Sequence, residues 1–145
     1  TVWDGYAELS GNAFELLTPI NRFNIDRRFA QTAPERVEWS ALTTGGFGGF
    51  EAMLQDPSAG KLDIHTALIQ QSIDIASIGR DEQIFENGGI ERRIRVFRLP
   101  DNNPHSAVRI EREISLDDDR DNALYVRVTF EDGHYAWSSP IYLFR

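Results

Sequence analysis

Cysteine is absent from this chain of 145 residues, which also holds only three histidines and a single lysine, Lys61. The absence of cysteine excludes disulfides, thiolate metal sites and cysteine nucleophiles. A chain without cysteine is compatible with any compartment, so its localisation is left open. No apolar run approaches the roughly 20 residues of a membrane-spanning helix, so we predict no membrane span.

Basic residues are outnumbered by acidic ones. The chain has 15 lysines and arginines against 23 aspartates and glutamates, which gives a formal net charge of −8. Proteins bind nucleic acids largely by neutralising phosphates with lysine and arginine. We therefore expect no nucleic-acid partner.

Length and composition are those of an ordinary globular domain. Hydrophobic residues make up 41% of the chain and charged residues 26%. No repeat or linker divides it, so we predict a single domain over residues 1–145. The chain begins with Thr1 and no signal-peptide pattern opens it, so we expect the C-terminal piece of a longer protein.

Apolar and polar residues alternate with a period of two in most of the chain, which is the period of a β-strand. The clearest alternating segments are 37–41, 62–66, 72–75, 93–96, 108–114 and 124–130. Each is short and is bounded by glycine, proline, asparagine or aspartate, which is typical of half-buried antiparallel strands. Segments 50–55 and 67–78 fit a helical turn as well, and we favour strand for both.

Turn sequences separate these segments. Asp132–Gly133 supplies the positive φ of a tight hairpin, so residues 124–130 should pair antiparallel with 135–143. Residues 10–12 predict a second hairpin, between 2–9 and 14–17. About ten short strands at this spacing favour an all-β fold, a two-sheet antiparallel β-sandwich.

The three histidines, His65, His105 and His134, have no metal-binding spacing. Asp63 and His65 would share one face of a strand, which is the arrangement of an acid that orients a base. An exposed polar face with a weakly interacting pair explains the same pattern. The sequence therefore predicts no catalytic residue, no metal-ligand set and no cofactor.

An acidic cluster is the sharpest local concentration of charge. Asp117, Asp119 and Asp121 match the start of an EF-hand calcium loop. The match then ends, because Asn122 stands where the loop has its glycine and Val128 where it has its bidentate glutamate. A hydrated acidic turn is the main interpretation, and a weak calcium site is the alternative.

Aromatic side chains are the remaining candidates for binding. Trp3 and Tyr6 could form a ligand platform, because aromatic rings stack on the apolar faces of sugars. Trp39 and Trp137 fall in strongly alternating segments, so we expect both rings in the core. A carbohydrate-binding module is therefore an alternative function for the chain.

The stretches 125–129 (Tyr-Val-Arg-Val-Thr) and 132–141 (Asp-Gly-His-Tyr-Ala-Trp-Ser-Ser-Pro-Ile) resemble the terminal strands of some bacterial PHP-type (polymerase and histidinol phosphatase-like) metal-dependent hydrolases. In that subfamily an all-β domain follows the catalytic barrel. Residues 3–5 and 39–46 resemble the openings of strands in the same domain. The resemblance extends over most of the chain and rests on structural motifs.

The resemblance implies an accessory domain without the catalytic barrel. The family's metal ligands are histidines and acidic residues of that barrel, beginning with a His-x-His motif, and this chain has no such motif. No catalytic residue is carried over, and residues 137–140 would be a strand landmark. We therefore expect a non-catalytic domain that packs on, or helps to assemble, a hydrolase barrel of the same parent chain. Formation of a homo-oligomer is left open.

Overall fold

The computed structural model describes residues 1–22, 26–90, 92–100, 107–117, 119–130 and 135–144. The chain divides into two compact units, Thr1–Leu99 and Pro100–Arg145, called the first and the second unit below. Both consist of antiparallel strands, so the predicted all-β class is confirmed. The described strands form one five-stranded sheet and four two-stranded ribbons, so a two-sheet sandwich of about ten strands is not confirmed. The single domain stays a prediction.

In the described part of the chain, no helix has the length and apolar character needed to cross a membrane.

The first unit holds nine strands and one 3₁₀ turn (Ile75–Ser77) within its described residues. The strands are β1 (Gly5–Ser10), β2 (Phe14–Ile20), β3 (Phe29–Ala33), β4 (Arg36–Trp39), β5 (Gly49–Leu54), β6 (Lys61–Thr66), β7 (Gln70–Asp74), β8 (Gln83–Glu86) and β9 (Arg93–Val96). Five of them form an antiparallel sheet in the order β3-β4-β1-β6-β7. β2 pairs with β5, and β8 pairs with β9. The strands favoured for 50–55 and 67–78 are therefore present as β5 and β7.

β1 lies at the centre of the five-stranded sheet and shows how its two faces arise. Ala7 and Leu9 are buried, whereas the alternate residues Tyr6 and Glu8 point to the other face. Ala7 lies opposite the fully buried Val37 of β4. Because residues directly opposite each other share a face, the sheet has one apolar and one polar face.

The core lies between the apolar face of this sheet and the β2–β5 ribbon. Its buried members are Ala7, Leu9, Phe14, Val37 and Ile75. Partly buried side chains from both layers pack against them: Leu17, Phe29, Trp39, Phe50, Leu54 and Leu62. Full burial of one such large side chain contributes roughly 1.5–3 kcal/mol, so the cluster holds the ribbon on the sheet. The inward ring predicted for Trp39 is confirmed.

The predicted hairpin between residues 2–9 and 14–17 is wrong. β1 pairs with β4 and β6, whereas β2 pairs with β5 in a different sheet. The Asn12 side chain stabilises this path of the chain, because its amide donates to the carbonyls of Asp56 (2.6 Å) and Ala59 (2.8 Å). The turn is thereby tied to the loop between β5 and β6. Turn residues predict a chain reversal, but the partner of the returning strand is set by burial elsewhere.

Two side-chain hydrogen bonds tie the ends of β8 to the ends of β7. Gln83 Nε2 donates to the carbonyl of Ser77 (2.8 Å), which follows β7. Asn87 Nδ2 donates to the carbonyl of Leu68, which precedes β7. β8 therefore runs opposite in direction to β7, although the two strands share no ladder.

The second unit holds four three-residue strands in its described part: β10 (Asn122–Leu124), β11 (Arg127–Thr129), β12 (Tyr135–Trp137) and β13 (Ile141–Leu143). β11 pairs with β12 and β10 with β13, both antiparallel, so the predicted pairing of 124–130 with 135–143 is confirmed. The predicted turn at 131–133 lies outside the described residues. Ser138 joins the two ribbons, because its N–H donates to the Val126 carbonyl (2.9 Å) and its hydroxyl accepts from the Val126 N–H (3.0 Å).

Two other expectations for the second unit are wrong. Residues 107–117 form no strand, and Val108 and Ile110 are largely exposed. Trp137 is 61% exposed, so its ring does not face a core. Alternation did not predict either outcome. A segment becomes a strand only where a partner strand supplies the ladder bonds, and residues 107–117 form none. Trp137 does lie in a paired strand, but its ribbon has no second layer in the described unit to bury the ring.

Candidate functional site

The polar face of the five-stranded sheet brings together charged and hydrogen-bonding side chains from four strands of the first unit. The strand register arranges them in rows across β4, β1, β6 and β7. The first row consists of Glu38, Tyr6, His65 and Gln70. The second row consists of Arg36, Glu8, Asp63 and Ser72. These two rows define the polar face in the paragraphs that follow.

Arg36 is the centre of charge on this face. Its Nη1 lies 2.9 Å from Glu8 Oε2, and its Nε lies 3.0 Å from Glu38 Oε1. The hydrogen bond to Glu38 is the largest cause that raises the pKa of Arg36 above its ordinary value, so the guanidinium stays charged. Exposed ion pairs contribute little individually. The shared guanidinium instead holds the carboxylates of Glu8 and Glu38, which lie on neighbouring strands, in a fixed arrangement.

Tyr6 lies between a guanidinium and an imidazole. The Arg36 Cζ is 3.6 Å from the centre of the Tyr6 ring, and the His65 ring stacks on Tyr6 at 4.6 Å with an interplanar angle of 15°. Both contacts are face-on, so they occupy opposite faces of the ring. A sugar could stack on Tyr6 only after one of these contacts is broken, and the platform stays a prediction.

Trp3 lies away from Tyr6, although the sequence suggested one platform for the two rings. Its N–H donates to the Ala41 carbonyl in continuation of the β1–β4 register, and alternation then places Trp3 on the apolar side with Ala7. The indole Nε1 donates to Thr43 Oγ1 (3.0 Å). The structure therefore does not bring Trp3 and Tyr6 together.

A shallow depression of about 210 Å³ lies at the β6–β7 end of the polar face. It is lined by Asp63, His65, Gln70, Gln71 and Ser72. Pockets for small organic ligands usually measure 300–1,000 Å³, so this one fits a single side chain or a small polar group. Asp63 and His65 share the face, as predicted, but no hydrogen bond joins these two side chains.

The acidic cluster of the second unit is organised as a turn. Asp117 accepts a hydrogen bond from the Asp119 N–H (3.1 Å) and pairs with Arg120 Nε (2.5 Å). The Asn122 amide closes the same turn onto the Asp117 backbone (2.8 Å to its carbonyl). The Asp117 carboxylate is thus engaged locally, and calcium binding by Asp117, Asp119 and Asp121 stays a prediction.

Histidine and carboxylate groups do not converge on a metal position among the residues described. No group of three such side chains lies within reach of one ion there. His105 and His134 fall outside the described residues.

Sequence reasoning missed the role of Arg36. It was passed over because Arg36, Tyr6 and His65 lie on strands far apart in the chain, and no short motif links them. The available signal was a pair of acidic residues, Glu8 and Glu38, each on the polar side of its own alternating segment. That signal becomes meaningful only after the strand order is known.

No protein-family model, curated protein or solved structure matches the chain. The fold and the polar face are therefore described from the structure of this chain alone. The likeness to PHP-type hydrolases stays a prediction.

Proposed function

We propose that the chain is a non-catalytic accessory β domain that packs on, or helps to assemble, the catalytic barrel of a PHP-type hydrolase. Two things support this proposal: the likeness of residues 125–129 and 132–141 to the terminal strands of such domains, and the surface of the second unit. The polar face of the first unit adds support of a different kind, because Arg36, Glu8 and Glu38 pair with one another there rather than converging on a reaction centre.

The single observation that carries the proposal is the apolar exposure of the second unit. None of its described residues is buried. Its large exposed hydrophobic side chains include Val108, Ile110, Tyr125, Trp137, Ile141, Tyr142 and Phe144. Large exposed apolar patches mark interaction surfaces, and two-stranded ribbons are marginal alone in water. A partner that covers these side chains would bury their apolar surface and so stabilise the ribbons.

We further propose that the first unit is a compact β-sandwich. The five-stranded sheet would be one layer, and the β2–β5 ribbon would be part of the other. Packing of Phe14 and Phe50 from the ribbon against Val37 and Trp39 from the sheet supports this arrangement. Such a unit would be the rigid part of the accessory domain.

A carbohydrate-binding module is the second candidate function. The aromatic residues Trp3 and Tyr6 favour it, but Tyr6 has both ring faces occupied. Trp3 lies on the apolar side of the sheet. An alternative platform would need to use Trp137 and Tyr135, whose rings lie 5.6 Å apart. Binding of soluble glycans that is lost on Trp137→Ala would favour this candidate.

Hydroxyl-radical footprinting of the isolated chain and of its full gene product tests the accessory function. We expect oxidation of Trp137 and Tyr142 to fall several-fold in the gene product, because the catalytic domain would cover them. Met53, which is 57% exposed in the first unit, is the internal control and should be oxidised equally in both. Equal oxidation of Trp137 in both samples, or a gene product without a catalytic barrel, would contradict the proposal.

A further inference from the structure

The outer strand β7 offers a regular sheet edge between two points that the ends of β8 contact, the Leu68 carbonyl before the strand and the Ser77 carbonyl after it. β7 is the last strand of the five-stranded sheet, and among the described strands its ladder partner is β6. Its register with β6 is unbroken over all five positions, whereas the opposite outer strand, β3, has a register shift between Gln31 and Ala33. Bulges of that kind protect an edge from pairing with another chain. The described β7 ladder has no bulge, and its stretch from Gln70 to Ser72 lies between the two points that the ends of β8 contact.

The register shows which backbone groups of β7 are free. The Thr66 N–H donates to the Ile69 carbonyl (2.9 Å) at the turn into β7. Because inward and outward groups alternate along an antiparallel ladder, Ile73 also faces β6, and Gln70 and Ser72 face outward. Among the described residues, no backbone hydrogen bond beyond the sheet reaches Gln70 or Ser72.

The side chains beside this edge favour a basic ligand. Ser72 lies directly opposite Asp63 in the second row of the polar face. The Asp63 carboxylate has no ion-pair partner among the described residues, and it lines the depression together with Gln70 and Ser72. A strand added beyond β7 would lie about 10 Å from β6. Its residue opposite Ser72 would point to the polar face, and a lysine or arginine there would cross the short Ser72 side chain toward Asp63.

We propose that β7 binds an extended, basic segment of a protein partner by strand addition. The backbone of Gln70 and Ser72 would supply the ladder bonds, and Asp63 would select a lysine or arginine opposite Ser72. The net charge of −8 favours the encounter with a basic segment. This inference uses only the first unit and does not depend on the proposed accessory function.

Amide hydrogen exchange followed by NMR tests the mode of binding. The probe is a short peptide of alternating threonine and lysine, and the control peptide has glutamate in place of lysine. With the lysine peptide, the Gln70 and Ser72 amides should gain protection. The Ile73 amide already bonds to β6 and should not change. Protection that appears elsewhere, or equally at all three amides, would overturn strand addition at β7.

Fluorescence anisotropy with the labelled lysine peptide tests the charge selection. Asp63→Asn should weaken binding about threefold to fivefold, which is the range of an exposed ion pair. Asp81→Asn removes the same charge from an exposed loop position and should leave binding unchanged. Equal weakening by both variants would mean unspecific attraction to an acidic chain and would overturn the proposal.

Ser72→Pro removes an outward N–H without touching the ladder to β6, so it should abolish binding while strand content by circular dichroism is kept. If this variant does not fold, the proposal is tested by two measurements: the comparison of Asp63→Asn with Asp81→Asn, and the exchange of the Gln70, Ser72 and Ile73 amides. Retained binding by a folded Ser72→Pro variant would overturn the proposal. So would protection of Gln70 and Ser72 that rises with protein concentration in the absence of peptide, because the occupant would then be a second copy of the chain.

Discussion

Gly5 is a position at which the sheet has no room for a side chain. A Cβ built on Gly5 would lie 2.2 Å from the backbone oxygen of His65, inside the β1–β6 ladder. We expect Gly5→Ala to lower the free energy of unfolding by about 1–3 kcal/mol, because the strands must move apart. Urea unfolding measures the loss. Gly46→Ala is the matched control: its added Cβ meets nothing within 4 Å, so its stability should be unchanged or slightly higher.

Asp56 gives the acid stability of the chain a defined pH dependence. The Ser58 hydroxyl, which lies 2.7 Å from Asp56 Oδ1, is the largest cause that lowers the pKa of Asp56 below 3.8, and the Ser58 N–H adds to it. A pKa that is lower in the folded state contributes stability above pH 3.8. This stability is lost as the pH falls through the lowered value.

Ser58→Ala should therefore raise the pKa of Asp56 toward its ordinary value and make unfolding less dependent on pH below 3.8. An NMR titration of the Asp56 carboxyl carbon measures the first effect, and urea unfolding at a series of acidic pH values measures the second. Ser10→Ala removes a hydroxyl from an exposed strand end and serves as the control. An unchanged Asp56 titration in Ser58→Ala would contradict the assignment of the hydroxyl.

The contacts of single residues were only partly predictable from the sequence. Alternation correctly gave Trp39 an inward position, because it lies in a strand with partners on both sides. It could not show that Arg36 and His65 flank Tyr6, since cross-strand neighbours depend on strand order. Trp137 alternates equally well, but its ribbon has no second layer in the described unit to bury it.

At the scale of elements, β4, β1 and β6 are coupled through the side chains of the polar face. Arg36 of β4 contacts Glu8 and Tyr6 of β1, and Tyr6 stacks on His65 of β6. The guanidinium therefore acts on three strands at once. Its removal would leave Glu8 and Glu38 near each other without a shared cation.

We expect Arg36→Ala to lower Tm more than Arg36→Lys, because an ammonium cannot bridge two carboxylates with the planar geometry of a guanidinium. Arg28→Ala is the control, since Arg28 makes one ion pair with Glu38 at 3.3 Å and its side chain is 61% exposed. Its effect on Tm should be the smallest of the three. The ring proton shifts of His65 report on the stack, and they should change in Arg36→Ala but not in Arg28→Ala. Equal effects of Arg36→Ala and Arg28→Ala on both readouts would contradict the coupling.

Elements were predicted better than their pairings. Most strand segments followed from alternation, with residues 107–117 as the exception. The pairing of 124–130 with 135–143 followed from short separation in sequence. The neighbours of β1 did not follow from the sequence, because β2, β3 and β5 lie between β1 and its partners β4 and β6 in the chain, and no local signal links strands so far apart. The difference is physical: a hairpin is specified locally, whereas a sheet order is specified by which apolar faces are buried together.

At the scale of the whole molecule, the two units differ in how much they bury. The buried hydrophobic residues of the described chain all lie in the first unit, from Ala7 to Ile75. The described residues of the second unit expose their apolar side chains and form only two-stranded ribbons. Composition is similar along the chain, so the sequence did not predict this asymmetry.

A fragment of residues 1–99 should therefore fold alone, and a fragment of residues 100–145 should not. The first fragment retains the complete core and should unfold cooperatively in urea with strand-dominated circular dichroism. The described residues of the second fragment bury no apolar side chain that would offset the conformational entropy of the chain, so its amides should exchange rapidly. Point variants in the two regions give the matched comparison within the intact chain. Val37→Ala should cost about 2–4 kcal/mol, because it empties a fully buried position, whereas Val108→Ala at an 81% exposed position should stay within about 0.5 kcal/mol. Cooperative folding of the isolated 100–145 fragment, or an equal loss for both variants, would show that the second unit has a core of its own.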